Sequence, residues 1–564
     1  MKVAAALLSG IATAVAAALP LAFLGYGLGG WHGWVALSAL ILGICAMILA
    51  WRMAPAEANF PSSSLWDWVM VGVFVCASAR AFFWLIYADG DEWKILSPNN
   101  LGDLSLHLSF IHWMTATQHW WPGSPILVGD PLRYPLGSDL FNSLLQVAGV
   151  PVIQGLIWCG FGGAALTGYA LWRWGRGIAL AALLFNGGFA GIVLLKGGDP
   201  DAAAEWKNLF LTLFVTQRGF LFALPAGLLL LAAWRDENFR SPHKVILPLP
   251  LQVLLLAVTP LFSIHTALYL GVAMVGIALA APQGRKRFAW LALFAWPGMA
   301  FFGWLVATGA GGPSAVHALG WKLGWMSDGT VFFWIWNFGA ALPMSMVLVF
   351  LLFHRGGNQK EALQEARAFV WPAAIVFLCC MLIRFAPWPW DNMKLMLWSW
   401  VVIAPYLWSE LLKSRPLAVR VIAMLFLFAS GAVTLVAGLD GRHGYGLTKE
   451  STLQATAQVL KDLPAESVIA CAPEFNHPVL ILGHSVACGY EGHLWSHGLD
   501  YQSRLAALNS IMKGEPGWQQ KARELGVSAI YWSELESTRW PDSKLPWAKQ
   551  SRPVLVHLDG DPKK

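Results

Sequence analysis

The sequence predicts a polytopic α-helical membrane protein of about thirteen spans with a small C-terminal α/β domain, on three observations. Of its 564 residues, 57% are hydrophobic and 12% charged, about half the charged share of an ordinary soluble domain. Apolar runs close to the roughly 20 residues needed to cross hydrocarbon recur up to residue 439, and from Asp440 onward the composition becomes that of soluble protein. A soluble enzyme is excluded. The net charge of +6 does not mark a nucleic-acid face, because the basic residues cluster between apolar runs, where orientation in a lipid bilayer accounts for them.

The first run, Val3 to about Leu24, follows Lys2 and reads either as a first span or as a cleaved signal peptide. The next are Trp31–Ala50 and Leu65–Tyr87. After a polar segment come Val152–Trp172, Ile178–Leu195, Leu213–Trp234, Val245–Thr259, His265–Ala281, Phe288–Thr308, Val331–Phe353, Phe369–Ala386, Leu395–Leu412 and Leu417–Gly438. Arg173/Arg176, Arg235/Arg240/Lys244, Arg285/Lys286/Arg287, Arg355/Lys360/Arg367 and Lys413/Arg415 fall on alternate loops, so the positive-inside rule makes those loops cytoplasmic. The segment between the third and fourth spans, residues 88–139, then lies outside with the loops near Gly309–Thr330 and Pro387–Met393 and the domain 440–564.

That segment concentrates Asp89, Asp91, Glu92, Asp103, His107, His112, Arg133 and Asp139. Charge beside hydrocarbon is costly unless it meets water, a partner or a substrate, so the cluster is a candidate site. From Gly102 the pattern is helical, with Leu104, Leu108 and Ile111 on one face and Asp103, His107 and Met114 around the other; with Trp113, Trp120 and Trp121 at its end, it is expected to lie along the interface. The turn-rich stretch after it is expected to deliver Arg133-Tyr134 towards Asp139.

In the C-terminal part, helical patterns at Thr452–Leu463, Tyr501–Met512 and Trp518–Leu525 alternate with apolar strands at Ser467–Ala472 and Val527–Trp532, as in an α/β layer. His477, His484, Glu491, His493 and His497 match no metal-ligand spacing and read as surface or capping residues. Cys471 and Cys488 are free to pair if that region is extracytoplasmic. Elsewhere, Arg218 and Arg384 lie inside apolar runs, with Asp391 and Lys394 just beyond. A buried guanidinium calls for an anionic partner, either another helix's acid or a phosphate.

These features together resemble the GT-C superfamily of integral membrane glycosyltransferases, in particular its uncharacterised bacterial and archaeal members. The likeness rests on Gly102-Asp103 with His107, on Arg133-Tyr134-Pro135, and on the block Trp390-Asp391-Asn392 with Lys394. The chain departs from many members in having more than one apolar span before the outer loop.

The resemblance implies transfer, with inversion, of a sugar from a polyprenyl-phosphate donor to a glycan, lipid or protein acceptor at the outer face of a bacterial inner membrane. Asp103, or else Asp91, would be the catalytic base. His107, Arg133, Tyr134, Arg218, Arg384, Asp391 and Lys394 would bind the donor and its phosphate. A divalent cation, Mg or Mn, is compatible with a carboxylate–phosphate pair, but nothing in the sequence requires one. A transporter or flippase for a lipid-linked or anionic substrate, or a non-catalytic assembly partner, are the rival readings; the transporter predicts repeat symmetry and interrupted helices.

Overall fold

A computed structural model describes residues 1–55, 63–189, 191–193, 197–198, 205–242, 244–310, 322–323, 331–354, 363–441, 444–550 and 552–558. The membrane part is built from α1 (Lys2–Gly25), α2 (Trp34–Met53), α3 (Leu65–Phe83), α4 (Leu101–Ala116), α5 (Gly137–Val147), α6 (Val152–Leu184) and α7 (Phe220–Arg235). It continues with α8 (Leu249–Phe262), α9 (Ile264–Ala280), α10 (Arg285–Thr308), α11 (Val331–Phe338), α12 (Ala341–His354), α13 (Gln364–Leu382), α14 (Met393–Tyr406) and α15 (Leu417–Gly438). Among the described residues, seven helices are long and apolar enough to cross a membrane: α1, α2, α3, α10, α13, α14 with its continuation to Leu412, and α15. Helices α8, α9 and α12 are apolar but shorter.

The expected spans differ from this in three places. Val152–Trp172 and the start of Ile178–Leu195 form the single helix α6, broken at Gly175 and at Arg176, whose φ is 58°. Val331–Phe353 is two helices separated at Gly339, where φ is 53°. Leu213–Trp234 is interrupted between a wide turn at Phe210–Val215 and the start of α7. The expected outer loop Gly309–Thr330 lies largely outside the described residues.

The polar layer caps the bundle end where α3 and α15 finish, and Arg80 Nε of α3 donates to the Leu439 carbonyl at 3.1 Å. After α3, β1 (Tyr87–Asp89) and β2 (Glu92–Ile95) form a hairpin, and β2 pairs antiparallel with β5 (Tyr445–Lys449) of the C-terminal part. Between them in sequence, β3 (Lys322–Leu323) pairs with β4 (Ile383–Arg384). The remaining strands, β6 (Val468–Ala470), β7 (Ser485–Val486), β8 (Ala529–Trp532) and β9 (Val554–His557), make a sheet in the order β7-β6-β8-β9, with only the β8–β9 pair antiparallel. The expected α/β layer is therefore present, flanked by α16 (Glu450–Leu460), α17 (Pro478–Ile481), α18 (Glu491–Ser496), α19 (Gln502–Met512), α20 (Trp518–Glu524) and α21 (Glu534–Arg539).

The two parts are stitched together by backbone. Val486 N–H donates to Pro125 O at 2.9 Å and Gly489 N–H to Ile126 O at 2.8 Å, so residues 125–128 run beside β7. Glu466 accepts from Thr117 Oγ1 and Gln118 N–H, each at 2.8 Å, and its other oxygen meets His119 Nδ1 at 2.6 Å.

This docking corrects the interfacial reading of α4. From Leu104 to Ile111 every residue is buried, His107 and Ser109 included, because α5 covers one side and the C-terminal α17 the other. Gly483 makes the second contact possible: it holds φ at 86° and approaches His112 so closely that a Cβ would overlap it. Trp113 and Trp120 are buried in this junction and Trp121 is half-buried against it; Trp113 Nε1 donates to Gly123 O at 2.9 Å and Trp121 Nε1 to Leu132 O at 2.5 Å. Cys471 and Cys488 are both buried free thiols.

Candidate functional site

The site begins at the first turn of α4. Asp103 is half-buried, and Gln217 Nε2 donates to its Oδ2 at 3.2 Å. Dense surroundings raise its carboxyl above the ordinary carboxylate value; the Asp391 charge adds to the rise, while His107, Lys394 and Arg218 oppose it. Such a carboxyl is a stronger base when ionised than a solvated one.

One turn along the same face, His107 is 1% exposed. Its Nδ1 lies 2.9 Å from each oxygen of Asp139, in the first turn of α5. That bond fixes the ring, and Nε2 is left buried with no hydrogen-bond partner among the described residues. The carboxylate thus orients an imidazole whose other nitrogen faces the cluster.

Arg218 comes from the interruption before α7. Residues 216–219 leave the helical path, and Gly219 is needed there because a Cβ would strike the Phe262 carbonyl. Ser138 Oγ ties the break to α5 by donating to Arg218 O at 2.8 Å. The guanidinium is 2% exposed, and none of its three nitrogens has a hydrogen-bond partner among the described residues. The charges of Asp139 and Asp103 act on it from a distance. A fully desolvated guanidinium without a hydrogen bond is costly, by several kcal/mol.

Asp391 and Lys394 enter from the turn ahead of α14, with Nζ 3.0 Å from Asp391 Oδ1. Asn392 shapes that turn. Its Nδ2 donates to the Cys380 and Ile383 carbonyls at 2.8 and 2.7 Å and its Oδ1 accepts from Phe385 N–H at 3.0 Å, satisfying backbone groups that the end of α13 leaves open.

Tyr134 closes one side, its ring centroid 6.0 Å from that of His107, 5.4 Å from Phe110 and 5.2 Å from His497. Burial, with the nearby charges of Asp103, Asp139 and Asp391, keeps its phenol protonated. His497 follows α18 in the C-terminal part; burial pushes it down to about 3. His493, within α18, is pushed down to about 4 by burial and bonds to the backbone of Gly102. Gly102 has room for this, since a Cβ there would sit 3.3 Å from His493 Nε2.

The structure therefore brings together Asp103, His107, Tyr134, Arg218, Asp391 and Lys394 of the sequence-predicted residues. Asp91 is not among them. It sits exposed on the β1–β2 turn, where its oxygens accept from Ser451 N–H at 2.9 Å and Ser451 Oγ at 2.5 Å, capping α16. Arg133 pairs with Asp130 at 2.7 Å, which also meets Arg504 at 3.5 Å. Arg384 lies on β4, opposite Lys322. Sequence reasoning assigned no role to Gln217 and missed the roles of Asp139, His493 and His497. Among the described residues, no three His, Cys, Asp or Glu side chains gather as a cation site.

Beside the cluster, α11 to α14 enclose an apolar groove of about 800 Å³. Phe353 and His354 line one end and Met381 and Leu382 the other, so it runs along the bundle and finishes next to the turn that carries Asp391.

Together these features define a helical membrane protein with a mixed-charge site buried where its bundle meets its α/β layer. No family model and no curated protein matches the chain.

Proposed function

We propose that this protein is a membrane glycosyltransferase that moves a sugar from a polyprenyl-phosphate donor to a glycan, lipid or protein acceptor at the outer face, with inversion. The observation that carries the reading is the enclosed Arg218 guanidinium, which has no hydrogen-bond partner among the described residues and feels the charge of Asp103, a carboxyl of raised proton affinity. An anionic leaving group supplies what Arg218 needs, and an acceptor hydroxyl supplies what Asp103 needs.

In this reading the acceptor oxygen attacks the anomeric carbon while Asp103 takes its proton. The bond from the anomeric carbon to the phosphate oxygen breaks, and the phosphate leaves with the electron pair, its charge held by Arg218 and Lys394. His107, oriented by Asp139, offers Nε2 to the donor, and neutral His493 and His497 shield the site from water. The apolar groove suits the polyprenyl chain. The outer location rests on the basic loops at the far end of the bundle.

The interruption at 216–219 also favours the rival, a transporter or flippase for an anionic lipid, whose sites are built from broken helices. The two separate on Asp103→Asn in membranes supplied with labelled polyprenyl-phosphate sugar. Loss of transfer by about 10²-fold or more with donor binding retained is the enzyme's result. Undiminished transfer removes Asp103 from the role, and movement of intact donor without transfer makes the protein a carrier.

A further inference from the structure

The far end of the bundle holds a second charged chamber. Helix α7 starts beside Arg218 and ends at Arg235, and its sixteen residues rise roughly 24 Å, most of a hydrocarbon thickness. Helix α14 likewise runs from Met393, next to Lys394, to Tyr406. Where both end, a cavity of about 640 Å³ is lined by Arg173, Arg176, Arg235, Arg240 and Lys244, with Asp236 the one carboxylate in its described lining.

The break in α6 builds this chamber. Gly175 lets α14 approach, since a Cβ there would overlap Pro405, and the carbonyls released by the break are taken by Arg235, which donates to Trp174 O at 2.6 Å and Arg173 O at 3.0 Å. Arg176 and Arg235 lie over the Trp172 and Trp174 rings at 3.9 and 4.4 Å, a placement that fixes guanidinium planes. Arg173 meets Asp236 at 3.0 Å and Arg240 meets Glu365 at 2.7 Å, while Asp67 faces Arg176. Five cations against three carboxylates leave two positive charges in surplus among the described residues. The positive-inside tendency explains basic residues at such an end, but not their convergence on a chamber of this volume with stacked guanidinium groups.

We propose that this chamber is a second anion site, which takes a phosphomonoester or diphosphate group carrying two or more negative charges. The forked guanidinium groups suit phosphate oxygens, and Val245, Ile246 and Pro405 give the attached group an apolar wall. The group can belong to a lipid headgroup or to a soluble phosphate, and the site stands independently of the glycosyl-transfer reading.

The test uses the full chain in detergent with two probes, phosphatidic acid by native mass spectrometry and inorganic pyrophosphate by titration calorimetry. Retention of phosphatidic acid over phosphatidylcholine identifies a headgroup site, and pyrophosphate binding without lipid preference identifies a soluble ligand. In either case Arg176→Gln/Lys244→Gln should weaken binding tenfold or more. Lys244→Gln alone, at an exposed position, should weaken it about threefold with folding intact, and Asp103→Asn should leave it unchanged. Binding of neither probe, or wild-type affinity in the Lys244 and double variants, overturns the proposal.

Discussion

Replacing Arg218 with methionine separates two accounts of its burial by the sign of the effect. If Asp139 and Asp103 are its true partners, Arg218→Met strands buried carboxylates and should cost about 3–5 kcal/mol. The geometry predicts otherwise. With no hydrogen bond to any of its three nitrogens among the described residues, the guanidinium has little to lose, and an apolar side chain of similar length should leave the unliganded protein as stable or up to about 1–4 kcal/mol more stable. The ligand's effect should disappear: a polyprenyl phosphate at 100 times its Kd adds about 2.7 kcal/mol to the wild type and should add almost nothing to the variant. Thermal unfolding in detergent, with and without undecaprenyl phosphate, reads both quantities. A variant that melts lower without lipid yet keeps the full lipid-induced rise would refute the argument.

Asp139→Asn should leave His107 free to take the wrong tautomer and reduce transfer by about 10²-fold, with donor binding little changed; a wild-type rate would mean that the ring's orientation is immaterial. Asp91→Ala should leave transfer intact and lower the melting temperature slightly through the lost cap on α16, so an inactive Asp91→Ala variant would return Asp91 to the chemistry. Acid should undo the closure over the site. His493 and His497 are held neutral, below their unfolded value near 6.5, so the unfolded chain binds more protons from that value down to about 4 for His493 and about 3 for His497, and stability falls as pH drops through this window. At pH 5 each histidine costs about 2 kcal/mol. Melting at pH 7 and pH 5 should show a fall that His493→Asn/His497→Asn reduces, and an equal fall in both proteins would assign the acid sensitivity elsewhere.

Much of the cluster was legible because its members announce themselves locally. Asp103 and His107 stand one helical turn apart, Asp391 and Lys394 share a short polar block after an apolar run, and Arg218 is conspicuous inside one. The misreadings came from tertiary choices. Arg133 has an acid three residues back in Asp130 and forms that short-range pair, which the reading of Arg133 as a donor ligand did not weigh. The bond between His107 and Asp139 spans 32 residues, and nothing in its spacing marks it. Periodicity assigned α4 to a membrane interface because a mixed face looks the same whether water, headgroups or another domain covers it. The cover, α17 and α18 with His493 and His497, lies more than 360 residues further on. Asp91, the second candidate base that the resemblance implies, stands apart from the cluster and caps the first turn of α16.

The pairing of β2 with β5 bears on how the protein comes to exist. A ribosome delivers the hairpin early and its third strand only after every transmembrane helix has been made, so the hairpin must wait with an open edge, and α4 with an uncovered flank, until the chain is nearly complete. A product cut short after α15 would keep its apolar bundle yet present a frayed, half-wet chamber, and quality-control proteases would meet that edge first.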